Sequence, residues 1–186
     1  EPSSININAY DSERIENTIN LYRKDEDEII SKIDLVSGKV IYGESFPEGE
    51  IHRLIYSSRP DVKAIIHTKQ EDILAISKVN NVIYPLLDDF AQIMGPSMKT
   101  AEFDRNVVKE LKKNNGIFLK DNGALCCGPN RKDAHAAELV AIKCCKAWIL
   151  ASLFGKVNPI NKLESALMHY VYKNKYSKKD EARNNI

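Results

Sequence analysis

A histidine and a lysine close the stretch PDVKAIIHTK at residues 60 to 69, and upstream of it Glu48 and His52 stand four positions apart. His67 ends a β-branched apolar run and Lys69 follows two residues later, so in an extended strand both side chains lie on one face. Two imidazoles at that spacing would form most of a metal clamp. A charged ammonium group cannot ligate a metal, so this pair offers one imidazole beside one cation. A Lys69 nucleophile forming a Schiff base is chemically possible, because desolvation lowers an ammonium pKa, but no other residue supports it.

The remaining reactive side chains read as structural. Cys126 and Cys127, like Cys144 and Cys145, are adjacent in sequence, and adjacent side chains diverge on a helix or strand. That geometry suits neither chelation nor a disulfide, so all four are expected as reduced core residues. His52 is expected at the surface or supporting the site, and His135 and His169 have no partners at a ligand spacing. Trp148 is expected to pack in the core or at a subunit contact.

The elements that must position these groups are marked by period and punctuation. SSININAYD alternates as a strand, and IISKIDLVSGKVIYG reads as two strands joined at VSG. FPEGEIHRLIYSSR is a helix with Pro47 and Glu48 at its start and Ile51, Leu54 and Ile55 on one face. Arg59 ends it, since the residue before a proline is pushed from helical geometry. VKAIIHT is a strand, EDILAISKV a short helix, VIYPLL a strand whose Pro85 marks an edge or an exit, and DRNVVKELKKN a helix stopped by NNG. GIFLKDNGALCCG is strand, turn and strand, with the turn at Asp121 to Gly123. A long Ala-rich helix runs from Lys132 to about Phe154 after an Asn130 cap, and a final helix places Leu163, Ala166, Leu167, Tyr170 and Val171 on one stripe.

The chain has 186 residues, 43% of them apolar, enough for one domain with a substantial core. Its 27 basic and 26 acidic residues nearly cancel, which gives no overall field for nucleic acid or an anionic membrane. With no apolar run of roughly 20 residues and no signal-peptide core, a cytoplasmic location is expected. The basic KNKYSKK segment is expected to be a solvated helix end leading to a disordered tail at 177–186.

Three stretches together, FPEGEIHRLIYSSRPDVKAIIHTK, IFLKDNGALCCG and the helix opening RKDAHAAELV, resemble the class II aldolase and adducin family. This family includes the fuculose, rhamnulose and ribulose phosphate enzymes. The match runs from about Asp34 to Ser152 and is tightest over EIHRLIYSSRPDVKAIIHT. It implies a single three-layer α/β/α domain over 1–186 with a largely antiparallel central sheet, the N-terminal part of the family domain being absent. It also implies a cyclic homotetramer whose active site lies at a subunit boundary.

The resemblance further implies a zinc site of three histidines, two from an H-x-H at a strand end and one from an N-H-G turn. There the metal polarises a ketose oxygen while a helical glutamate moves the proton. On that pattern His67 takes the first ligand position, Lys69 the second and Asn122 the third, while Glu48 takes the catalytic acid/base position. A catalytic zinc site needs three protein ligands and an open position, and an amide oxygen suits harder cations. No zinc and no other cofactor is therefore expected. Ser45, in the place of the family's small hydroxyl residues before the glutamate, and Gly123 are the ligand-binding candidates. Phe46 and Pro47 occupy space used there for phosphate, and SERIENTINLYRK lacks the family's T-P-x-G loop.

The expected function is a family member that has lost zinc-dependent aldol cleavage and binds a small phosphorylated or polar metabolite, or serves in assembly. Two alternatives stand beside it. One is an active carbon–carbon lyase or epimerase with a remodelled metal site, and the other is a structural subunit.

Overall fold

The computed structural model describes residues 8–24, 26–79 and 82–184, with side chains to residue 175. Its centre is an eight-stranded sheet in the order β4-β3-β2-β1-β5-β8-β7-β6, antiparallel except where β6 meets β7. The chain enters through two hairpins. β1 (Tyr10–Ile15) and β2 (Thr18–Arg23) turn at Glu16, which takes a positive φ, and β3 (Ile29–Asp34) and β4 (Val40–Gly43) turn at Gly38. The Asp34 carboxylate accepts from both the backbone and the hydroxyl of Ser37 and so fixes the second turn. Of the segment expected as the first strand, residues 3–7 lie outside the described residues, while Tyr10 and Asp11 open β1.

α1 (Pro47–Ser58) begins with Pro47 in its first turn and two acids, Glu48 and Glu50, where the dipole favours them. It lies close on the sheet because Gly49 carries no Cβ, which would meet Ile33 Cδ1 at 2.4 Å. With α4 (Asn106–Leu111) it covers one sheet face, closing a core of Ile19, Leu21, Ile33, Ile55, Ile65, Ile117 and Leu125. The other face carries α2 (Glu71–Lys78), α3 (Asp88–Ile93) and the long α5 (Arg131–Leu153) over Phe90, Met94, Phe118, Ala124 and Cys126. Period-2 alternation in β5 (Ala64–Thr68) and β8 (Gly123–Gly128) thus feeds two cores, which makes three layers.

Asn130 caps α5 by accepting from the Asp133 amide, and the small Ala134, Ala137 and Ala141 face inward with Cys144 and Cys145. All four cysteines are buried and free. The VIYPLL edge strand is corrected: only Ile83 pairs, in an isolated bridge to Met98. Pro85 has no N–H to donate to a ladder, and Leu86 and Leu87 turn into the lower core instead. Two short elements join there, α3 and the two-residue β6 (Thr100–Ala101), which pairs with β7 (Gly116–Leu119). α6 (Lys162–Asn184) packs on α3 and continues into the segment expected as a tail. Among the described residues no helix is long and apolar enough to cross a membrane.

Candidate functional site

His67 sits one residue from the end of β5, paired in register with Leu125 of β8, and is fully buried on the face that α1 covers. Its backbone N–H is held at 3.1 Å by the Asp11 carboxylate, which continues the β1–β5 pairing where the backbone ladder stops. The ring Nε2 lies 2.8 Å from the backbone carbonyl oxygen of Asn122. Because a carbonyl only accepts, this contact places the imidazole proton on Nε2. Nδ1 is then a bare acceptor, buried and without a hydrogen-bond partner. Burial holds the His67 pKa down at about 4, the Asn122 contact opposes the shift, and the nearby Lys69 and Lys24 charges reinforce it.

Asn122 is presented by the tight turn between β7 and β8, where Asp121 and Gly123 both take positive φ. A Cβ on Gly123 would meet the Thr68 carbonyl oxygen at 2.1 Å, so only glycine lets the turn close against the end of β5. The Gly123 amide donates to Ser77 Oγ of α2, and the Asn122 amide nitrogen donates to the Lys120 carbonyl. The turn is thereby fixed from both sides.

α1 brings in Glu48 and, one turn on, His52. Glu48 is buried, and burial raises its carboxyl pKa while its own backbone amide and the Lys69 ammonium pull it back. Lys69, one residue past β5 and half-buried, is lowered by desolvation and held up by Glu48. The two charges therefore attract one another across the α1–β5 layer. Ser45, by contrast, is exposed in the loop before α1.

His52 is not at the surface. It is 1% exposed, because α1 lies flat on the sheet and this turn of it points at β1. Its Nδ1 is 2.8 Å from Ser12 Oγ, which is 2.8 Å from the Tyr56 hydroxyl, and Tyr56 donates to the Ser12 carbonyl. His52 Nε2 has no partner, and burial together with the His67 ring drives its pKa down to about 3. Two neutral imidazoles, each with an unpaired nitrogen, thus share the layer with Glu48.

Three contributors escaped the sequence reading. Asp11 and Ser12 reach His67 and His52 from β1, 56 and 40 residues away, and Ser77 on α2 receives the amide of Gly123, 46 residues on, so no local pattern marks them. Asp11 is the most consequential. Burial raises its pKa to about 6 against the pull of Lys24, whose ammonium lies between Asp11 and Glu138. Of the other histidines, His135 pairs with Glu138 on the outer layer, and His169 contacts the Gln92 carbonyl beneath α6. Trp148 donates its indole N–H to the Tyr84 carbonyl.

A cavity lies at the other end of these strands, between Asp61, Asn115, Cys127 and Tyr172. Arg59 and Lys173 are paired to Asp61 there, and Asn115 donates to the Ile93 carbonyl. It is separate from the cluster around His67.

The profile of the Class II Aldolase and Adducin N-terminal domain matches residues 15–149. L-fuculose phosphate aldolase of Methanocaldococcus jannaschii is 30% identical over 145 residues, covering 73% of this chain and 76% of that protein. Protein hu-li tai shao of Drosophila melanogaster is 26% identical over 143 residues, 69% of this chain but only 12% of that much longer protein. A solved L-fuculose 1-phosphate aldolase superposes with a TM-score of 0.77 at 21% identity, over 90% of this chain and 86% of the other.

Proposed function

Since this chain belongs to the class II aldolase and adducin family, we propose that it has lost zinc-dependent aldol cleavage and uses the same pocket to hold a small phosphorylated or polar metabolite. The observation that carries this reading is the contact of His67 Nε2 with the Asn122 carbonyl. The first ligand position of the family pattern then holds a protonated nitrogen directed at backbone, and its other nitrogen is sealed in the core. The second position is an ammonium group attracted to Glu48, and the third is an amide whose nitrogen is turned to Lys120. These residues do not fit zinc, which needs deprotonated ligands around an open position.

The groups that remain favour recognition. A half-buried ammonium beside a carboxylate offers one donor for a phosphate or carboxylate and one acceptor for a hydroxyl. The protein is read as a cytoplasmic homo-oligomer, a tetramer by analogy with the family, with a neighbouring subunit completing the pocket. One observation favours the rival reading of a lyase or epimerase, namely that burial raises the Glu48 carboxyl as a proton-transfer group requires.

Metal analysis and an assay for dihydroxyacetone phosphate release from L-fuculose 1-phosphate separate the two readings. The expected outcome is substoichiometric zinc, no release, and a thermal shift with dihydroxyacetone phosphate that Lys69→Met abolishes. Stoichiometric zinc that disappears in His67→Ala, accompanied by product release, would overturn the proposal. Replacing both Lys69 and Asn122 by histidine is expected to restore zinc binding.

A further inference from the structure

The cavity at the start of β5 has a volume of about 160 Å³ and a lining drawn from four parts of the fold. β8 ends in it at Cys127 and Gly128, the segment entering β5 supplies Asp61 and Val62, α6 supplies Tyr172 and Lys173, and α5 supplies Asp133. Gly128 makes the last of these possible, because a Cβ there would run into the Ala134 backbone amide and push the first turn of α5 away. The Cys127 thiol, which burial pushes up to about 12, is a small apolar group in this setting rather than a nucleophile.

The charges of the lining come from separate elements. Arg59 makes two contacts of 2.7 Å with Asp61, and Lys173 lies 3.6 Å from the same carboxylate while donating to the Lys113 carbonyl. Two cations share one acid, so the α6 side carries net positive charge. On α5, the Asp133 carboxylate accepts from the neutral Asn130 side-chain amide at 2.8 Å and keeps its negative charge. Asn115 is already engaged, its nitrogen by the Ile93 carbonyl and its oxygen by Arg59. The remaining walls, Val62, Ile93, Pro129 and the Tyr172 ring, are largely apolar.

We propose that this cavity binds a small aliphatic α-amino acid, with its carboxylate on Lys173, its ammonium group on Asp133 and its side chain among Val62, Ile93 and Tyr172. Charge complementarity selects a zwitterion. A phosphate or dicarboxylate would set negative charge against Asp133, and a diamine would set positive charge against Lys173 and Arg59. Size selects a compact side chain, since a cavity of about 150 Å³ accommodates a molecule the size of benzene. The half-exposed Asp61 leaves a way in. The site is distinct from the pocket of the proposed function, because Asp61 and Val62 precede β5 whereas His67 stands near the far end of that strand.

Calorimetric titration of the full chain with L-leucine, isopentylamine and 4-methylpentanoate tests the assignment, because the amine and the acid each lack one of the two charged groups. Leucine is expected to bind saturably, and each analogue about ten-fold more weakly or worse. Lys173→Met is expected to weaken leucine to the level of the amine and leave the amine unchanged. Asp133→Asn is expected to weaken leucine to the level of the acid and leave the acid no weaker. These selective losses separate recognition from damage to the fold. Absence of saturable leucine binding would overturn the proposal, as would equal affinity for the three compounds or a charge variant that weakens all three alike. Lys69→Met is expected to keep leucine binding intact, and its loss there would likewise refute this placement of the site.

Discussion

His52 and His67 fold as neutral bases, and this ties stability to pH. Both pKa values fall from the ordinary 6.5, to about 3 and about 4, because burial penalises the imidazolium and each ring is near other positive charge. Below 6.5 the unfolded chain therefore binds protons that the folded chain refuses, and stability declines as pH falls toward the folded values. Asp11 acts in the opposite direction. Its pKa is raised from 3.8 to about 6, so the folded state holds a proton that the unfolded state has released, and that contribution is lost as pH rises through this window. The melting temperature is expected to fall between pH 6.5 and 4, with two histidines outweighing one aspartate. Urea titrations at several pH values should show His52→Asn flattening this dependence and Asp11→Asn steepening it. A dependence unchanged in both variants would refute the assignment.

At the scale of elements, the site depends on two joints. The first is the β7–β8 turn that places Asn122. Gly123→Ala would put a methyl group into the Thr68 carbonyl at a positive φ of 83°, and it is expected to destabilise the fold by more than about 1 kcal/mol in urea unfolding. The second is the exit of α1. Arg59 makes two short contacts of 2.7 Å with Asp61 and also donates to the carbonyls of Lys112 and Asn114. Its removal leaves a half-exposed carboxylate and two carbonyls of the α4–β7 connection without this donor, so Arg59→Ala should cost about 1–3 kcal/mol, with little rescue by lysine, which lacks the planar fork.

These joints also show what was legible beforehand. The IIHTK strand and the DNG turn declare themselves through period and turn chemistry, which are local. The capping role of Arg59 could be read only as a helix stop, because its acceptors lie more than fifty residues away. α3 and β6 are too short to carry a period. The stripe on α6 was visible, but its direction depends on what lies beneath the helix, and the carbonyls of Gln92 and Lys113 draw the polar side inward. Lys69 and Asn122 were legible as departures from a pattern, whereas the His67 contact that gives those departures meaning needed the fold.

For the whole molecule, an open eight-stranded sheet must end somewhere, and its two edges differ. β6 contributes two residues, and so short an edge offers little ladder to a stray strand. β4 contributes four, all exposed, and Ile41 and Tyr42 remain 60% and 58% accessible beside an unpaired backbone edge. Val36, in the preceding turn, extends the apolar surface at 77% exposure. An edge of that kind templates pairing with another chain, and natural sheets commonly blunt it with a lysine or a bulge. Here the register shift between Lys32 and Ile33 bends the pairing, but β4 itself carries no charge. Ile41→Lys should therefore suppress aggregation on heating while shifting folding stability by no more than about 0.5 kcal/mol, as for an ordinary surface change. Light scattering and reversible urea unfolding on the same samples measure the two effects. If Ile41 is instead a packed subunit contact, the variant will lower the sedimenting mass.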